Sequence, residues 1–229
     1  MKNLLYKEYK LCFPATILFF IPFVFMLLIP SYPYLVAFFF ICNSIFYAFS
    51  QATVDNDLLF TALLPVSKAD AVRGKYLFVV TLQAAFFALF IPLVFLTHAI
   101  HPEGNNAGVD ASLTFLGEGL IVFMIFNAVF IPKFFKDAHK VGQNFLVSVI
   151  AMFSWITVAE GFMIAAKAAA AHVPFFAWVN SNLASFPAAD DGTAWIVQGA
   201  FFALCLLVYA GGTCLSCRRA IRIFEKVNL

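Results

Sequence analysis

Charge is what this chain has least of. Only 11% of its 229 residues are Asp, Glu, Lys or Arg, against roughly 25% in an ordinary soluble domain, so a water-soluble globule is excluded. The net formal charge is +2, from 14 Lys and Arg against 12 Asp and Glu, which leaves no bulk basic field for nucleic acid. Cysteine is sparse and odd in number: Cys12, Cys42, Cys205, Cys214 and Cys217 all lie in or beside apolar runs, the reverse of a disulfide framework. Catalytic signatures are missing as well. There is no Gly-x-Ser-x-Gly elbow, no His-Glu-x-x-His pair and no acidic metal-binding cluster. Arg73-Gly74-Lys75 has the look of the end of a phosphate-binding loop, but that pattern needs Gly where Ala69 stands and Ser or Thr where Tyr76 stands. No nucleotide site, cofactor or metal is therefore expected on this chain, and no enzyme activity. His98 and His101, with Glu103 nearby, leave a metal at a rim as an alternative to simple solvation.

What the chain does have is apolar residues, 63% of the total, in uncharged runs such as 11–54, 76–102 and 192–217. A helix needs about 20 residues to cross a bilayer. The first run is too long for one helix, and Pro30-Ser31-Tyr32-Pro33 divides it into a hairpin. With turn residues and charges as boundaries, spans are expected near 11–30, 33–53, 76–98, 112–132, 143–166 and 194–216. Period-2 alternation is absent, so the fold class is an all-α integral membrane protein of six transmembrane helices rather than a barrel, and residues 1–229 form a single domain. Six spans put both termini on one side. Basic residues beside short loops stay cytoplasmic, and on this layout Lys167 alone of the 14 falls on the other side. Both termini are accordingly expected in the cytoplasm. Lys2, Lys7 and Lys10 ahead of an apolar stretch also fit a secretory signal, but no small-x-small site follows before Pro30, so an uncleaved first span is expected.

Two connections carry more pattern than a linker needs. Asp55-Asn56-Asp57, then apolar residues up to Pro65, predicts a short cytoplasmic helix with an acidic first turn. Asp57 and Thr61 share one face while Leu59 and Leu63 share another, which suggests a helix lying along the membrane with its polar side outward. Ser67-Lys68-Ala69-Asp70 fits a capping box, so the third span is expected to begin near Lys68 inside the cytosol. The other segment, 167–194, is long, non-spanning and apolar, with Phe175, Phe176 and Trp178 between Pro174 and Pro187. A pair of short helices dipping into the outer leaflet is expected there, with helices lying flat on the interface as the alternative. Inside or beside the spans the polar residues Asn43, Gln51, Glu118, Asn127, Glu160 and Gln198 stand out. Glu118 and Glu160 lie toward the outer side, where rim solvation competes with a substrate-path role, and Lys167 follows Glu160 closely enough to pair with it. The 31 phenylalanines, spread over every span, read as packing and lipid-facing residues.

Three segments resemble the ABC-2 transporter family. Leu4-Leu5-Tyr6-Lys7-Glu8-Tyr9-Lys10-Leu11 is similar to that family's interfacial helix. Leu64-Pro65-Val66-Ser67-Lys68 with Val72, Lys75 and Tyr76 resembles its motif after the second span. Pro132-Lys133-Phe134-Phe135-Lys136 with His139 and Lys140 resembles its loop before the fifth. Within the family the chain looks most like compact permeases of bacterial peptide exporters, including the phenol-soluble modulin type. The resemblance implies a type V exporter-like permease in the bacterial inner membrane. It would work with a second permease copy or paralogue and with separate ABC ATPase subunits that hold ATP and Mg. It also implies a cytoplasmic coupling helix and outer re-entrant helices, moving a peptide or another amphipathic substrate outward. The coupling candidates are Asp55, Asn56, Asp57, Leu59, Leu63, Leu64, Pro65, Ser67, Lys68, Arg73 and Lys75. The path or gate candidates are Glu118, Glu160, Lys167, Phe175 and Phe176. A six-span substrate-capturing subunit of a vitamin uptake system is the alternative, although its small-residue docking pattern is not visible between Leu11 and Pro30.

Overall fold

The computed structural model describes residues 2–12 and 16–227, and every regular element among them is helical. In order these are α1 (Lys2–Cys12), α2 (Thr16–Phe19), a 3-10 stretch (Ile21–Leu28), α3 (Val36–Val54), α4 (Asp57–Ala62), α5 (Lys68–Ile100), α6 (Leu113–Lys136), α7 (Val141–Ala169), α8 (Pro174–Val179), a π-helical turn (Asn180–Ala184) and α9 (Gly192–Glu225). Five helices are long and apolar enough to cross a membrane: α3, α5, α6, α7 with the turn before it, and α9. Each coincides with one of the last five expected spans.

The span expected at 11–30 is not one long helix. Its described part is the shorter apolar stretch Ile17–Leu28, and residues 13–15 lie outside the described residues. Pro22 falls in the first turn of the 3-10 stretch, where its missing N–H is tolerated but cannot extend an α-helix backwards. The 3-10 form rises about 2.0 Å per residue instead of 1.5 Å, so it covers distance with fewer residues. Contacts of Glu8 on α1 and of Leu27 near the end of the 3-10 stretch place this part of the chain along α5. Glu8 meets Lys75 near the start of α5, and the Leu27 carbonyl accepts from Thr97 Oγ1 at 3.3 Å near its end. The part of α5 between Lys75 and Thr97 is roughly 33 Å long at the α-helical rise, so the chain between Glu8 and Leu27 travels the same distance. It then turns back at Ser31, which takes a left-handed φ of 58°.

α6 is the axis of the bundle and is buried along most of its length. α9 runs parallel beside it: Gly117 faces Phe201 and Cys205, Asn127 faces Thr213 and Ser216, and Phe135 packs on Phe224. Glycine permits the closest approaches. A Cβ on Gly119 would stand 2.0 Å from the ring of Phe38 on α3, and one on Gly212 would stand 2.6 Å from Met124. The space between α3, α5 and α6 is filled by rings, Phe38 packing on Phe90, Phe115 and Phe123, and Phe49 on Phe130 and Phe134. Outward faces of α7 and α9 are apolar and uncovered, including Leu146, Ile150, Val158, Leu204, Leu207 and Leu215. One end of the bundle gathers α1, α4, the start of α5, residues 133–140 and the end of α9. The opposite end carries the 101–112 loop, the end of α7, α8 and the start of α9.

Candidate functional site

At the first end, α4 is entered through Asn56, which adopts a left-handed φ of 53° and redirects the chain after α3. The helix has only six residues, too few to hold itself together in water, so its place depends on what it touches. Its polarity is the reverse of the expectation. Asp57 and Thr61 are buried at 5% exposure, whereas Leu59 (50%), Phe60 (49%) and Leu63 (86%) face outward. The reason is a pair of lysines underneath. Lys7 Nζ lies 2.9 Å from Glu8 Oε1 and 2.7 Å from Asp57 Oδ1, and Lys75 Nζ lies 2.5 Å from Glu8 Oε2 and 2.7 Å from Asp57 Oδ2. Two cations and two carboxylates thus alternate around a closed, neutral square joining α1, α4 and α5. Lys7 also donates to Thr61 Oγ1 at 2.6 Å, and Thr61 donates to the Asp57 carbonyl. Lys75 stands over the Phe49 ring at 5.7 Å. Burial alone would raise the Asp57 pKa, but Lys75 and Lys7 more than offset it and hold the carboxyl below its usual value.

The other coupling candidates do not join this square. Asp55 is exposed and accepts from the Gln51 amide at 3.0 and 3.1 Å. Leu64 and Pro65 follow α4 without a place in the square. Ser67 Oγ accepts from the Asp70 N–H at 3.1 Å and donates to Asp70 Oδ2 at 2.7 Å, which starts α5 at Lys68 as the capping pattern predicts. Arg73 makes an exposed pair with Asp70 at 3.1 Å. Lys68 reaches the opposite way, donating to the Val227 carbonyl at 2.7 Å beyond the end of α9 and lying 5.8 Å over Phe224. Under α4 the packing is open. A cavity of about 320 Å³ lies between Leu58, Leu59, Phe134, Phe135, His139 and Phe224, and one of about 240 Å³ between Leu58, Val66, Lys68, Ala71 and Phe224. The residues missed here are Lys7 and Glu8, whose only sequence signal is an adjacent base and acid on a short basic helix.

At the opposite end, the expected Glu160–Lys167 pair is absent. Lys167 Nζ instead bridges Asp110 Oδ1 at 2.7 Å and donates to the Asn105 carbonyl at 2.6 Å. Asp110 is held in place by the Asn105 and Phe186 N–H groups, in a loop whose Gly104 has a φ of 81°. Glu160 points inward and accepts from the backbone N–H groups of Val109 at 2.8 Å and Leu35 at 3.1 Å, tying the 101–112 loop and the start of α3 to α7. Glu118, also buried, accepts from the Trp155 indole at 2.9 Å. Both acids are thus engaged within the chain. His98 stacks on Phe186 at 3.9 Å and His101 Nε2 meets the Leu28 carbonyl at 3.1 Å, and among the described residues no three His, Cys, Asp or Glu side chains gather as metal ligands. The outer segment is one short helix continuing into a π turn rather than a pair of helices. Pro174 begins α8 instead of breaking it, because the first turn has no use for its missing N–H. Val179, Asn182 and Ala184 are buried, Phe175 is 59% exposed, and Phe176 packs edge-on against Phe162 at 6.2 Å.

The described residues thus form a bundle of long apolar helices, with a short helix clamped at one end and a folded segment before the last helix. A family model described as ABC-2 family transporter protein matches residues 3–225. The chain belongs to that family. No curated protein and no solved structure matches it. Membership makes the chain the membrane component of an ABC transporter and implies an ABC ATPase as its partner.

Midway along this ABC-2 permease lies a polar cluster that the sequence reading caught only at Asn127. Gln83 and Asn127 exchange reciprocal amide hydrogen bonds at 2.9 and 3.0 Å. Asn127 donates to Thr213 at 3.2 Å, and Tyr209 donates to Gln83 Oε1 at 2.8 Å. Ser216 donates to the Asn127 carbonyl at 2.7 Å, and its hydroxyl meets that of Tyr76 at 2.6 Å. These bonds join α5, α6 and α9 through side chains on all three helices.

Proposed function

We propose that the chain is the permease subunit of a bacterial ABC exporter, which carries a peptide or another amphipathic substrate out of the cytoplasm or inner leaflet. The observation that supports this best, beyond family membership, is α4: a stiff six-residue helix clamped by its polar face, with Leu59, Phe60 and Leu63 turned outward as a surface for an ATPase groove. In this reading the basic end is cytoplasmic, both termini lie there, and the membrane is the bacterial inner membrane. The segment up to Leu28 is the first of six spans, its 3-10 geometry accounting for a crossing with few residues. Two permease chains, identical or paralogous, flank the pathway, and the 167–193 segment with Phe175 and Phe176 acts as an outer gate in a type V exporter-like arrangement. The coupling set around α4 extends through Asp55, Asn56, Leu64, Pro65, Ser67 and Arg73. Glu118, Glu160 and Lys167 are read here as holding the outer half in shape around the path.

Co-purification from the native membrane tests this reading. The wild-type chain should retain an ABC ATPase and stimulate its ATP hydrolysis. The variant Leu63→Asp with Leu64→Gly should insert normally yet lose retention or stimulation, because it places a carboxylate on the outward face and loosens the end of α4. Unaltered retention and transport in that variant would move coupling to residues 133–143.

A further inference from the structure

The placement of α4 rests on charge more than on apolar packing. On its outward face Leu59 and Phe60 are about half exposed and Leu63 almost fully, and two cavities of about 320 and 240 Å³ flank Leu58 beneath it. Its firm attachments are Asp57 and Thr61, and both lead through Lys7 and Lys75 to Glu8. Glu8 sits on α1, which is separately fixed to α5 by Tyr9: its hydroxyl donates to Thr81 Oγ1 at 2.6 Å and its ring meets Phe78 edge-on at 5.3 Å. All four side chains of the square are at most 10% exposed. Removing one member leaves a buried, uncompensated charge, a far larger disturbance than loss of a surface pair.

We propose that Glu8 is a positioning residue for coupling: it ties α1 to Lys75 on α5 and holds in place the two lysines that grip Asp57, so that α1, α4 and the start of α5 form one mechanical unit and force applied to α4 by the ATPase also moves α1 and the first apolar segment behind it. This rests on the assignment of α4 as the coupling helix. The charges do not touch the ATPase. Their task is to set the height and tilt of α4 over its two cavities, and to give a six-residue helix the stiffness that its own length cannot supply.

Two variants of the full chain separate the possibilities. Glu8→Gln leaves two lysines facing one carboxylate. Glu8→Gln with Lys75→Met restores neutrality, keeps the Lys7–Asp57 pair and sets an apolar side chain near Phe49, while cutting α1 loose from α5 at this point. Amide hydrogen exchange in lipid nanodiscs should be about tenfold faster or more at residues 57–64 in Glu8→Gln. In the double variant the rate should lie close to wild type, with exchange in α6 and α9 unchanged in both. In complexes with the ATPase that co-purifies with the wild-type chain, both variants should keep ATPase binding but lose stimulation, since each removes the Glu8–Lys75 bond that ties α1 to α5 beside α4. Unchanged exchange in Glu8→Gln would overturn the positioning role. Faster exchange with full stimulation in both variants would overturn the inclusion of α1 in coupling. A wild-type chain that neither retains nor stimulates an ATPase would instead defeat the functional assignment, and the exchange result would still decide whether Glu8 positions α4. If Glu8→Gln fails to fold, Glu8→Asp, which keeps the charge but shortens the reach to Lys75, carries both readouts: faster exchange at residues 57–64 and lost stimulation are expected, and wild-type values of both would overturn the positioning role.

Discussion

Lys75 and Arg73 lie two residues apart at the start of α5, and their surroundings assign them opposite weights. Lys75 has 4% of its side chain exposed and bonds to two carboxylates, whereas Arg73 is 56% exposed beside a single one. Lys75→Ala should cost about 3–5 kcal/mol, the range for breaking a buried pair, and Arg73→Ala should leave thermal unfolding in detergent unchanged. Equal shifts for the two would contradict the buried square. The pH dependence follows from Asp57, whose folded pKa is lowered from 3.8. A depressed carboxyl contributes stability that is fully present above its unfolded pKa and disappears as pH falls through the folded value. The stability difference between wild type and Asp57→Asn should therefore be flat from pH 5 to 8 and shrink only below about pH 4. A clamp that weakened between pH 7 and 5 would mean that Asp57 is not paired as described.

Helix contacts decide what each glycine is for, which periodicity alone cannot do. Gly119 faces the buried Phe38 ring at 2.0 Å from a would-be Cβ, whereas nothing lies within 4 Å of one on Gly161 in α7. Gly119→Ala should destabilise by about 1–3 kcal/mol through overpacking. Gly161→Ala should stabilise by up to about 1 kcal/mol through helix propensity. Opposite signs in thermal unfolding check the pair, and a gain at Gly119 would mean that α3 and α6 are not in contact there. For α8 the expectation concerns transport: Phe175→Ala with Phe176→Ala should lower substrate-stimulated ATP hydrolysis without changing assembly. Wild-type transport and hydrolysis in that variant would make the segment a passive anchor at the interface.

For the molecule as a whole, the test is sidedness. Single cysteines at Asn106 and Asp190, both exposed, in a background lacking native cysteines, should react with an impermeant maleimide added to sealed cells. One at Lys136 should not. Labelling at Lys136 would reject six spans with cytoplasmic termini. The ring-packed interior and the polar cluster at Gln83 and Asn127 hold α5, α6 and α9 together.

Read alone, the sequence determined the all-helical membrane class, the position of five long helices, the start of α5 at Ser67 and the skewed distribution of basic residues. These follow from scarcity of charge, from run length against bilayer thickness and from local capping, all properties of neighbouring residues. Only the tertiary structure decided the first apolar segment's shape, the direction in which α4 turns its polar face, and the partner of Lys167. A short amphipathic helix has two faces, and its composition does not say which one meets the protein. Lys7 and Lys75, separated in sequence from Asp57, turn that face inward. Lys167 likewise had Glu160 nearby along the helix, but the fold gave Glu160 two backbone N–H groups and brought Asp110 to the lysine. Pairing of buried charges is settled by which donors the packed chain brings within about 3 Å, and spacing along a helix limits that choice without making it.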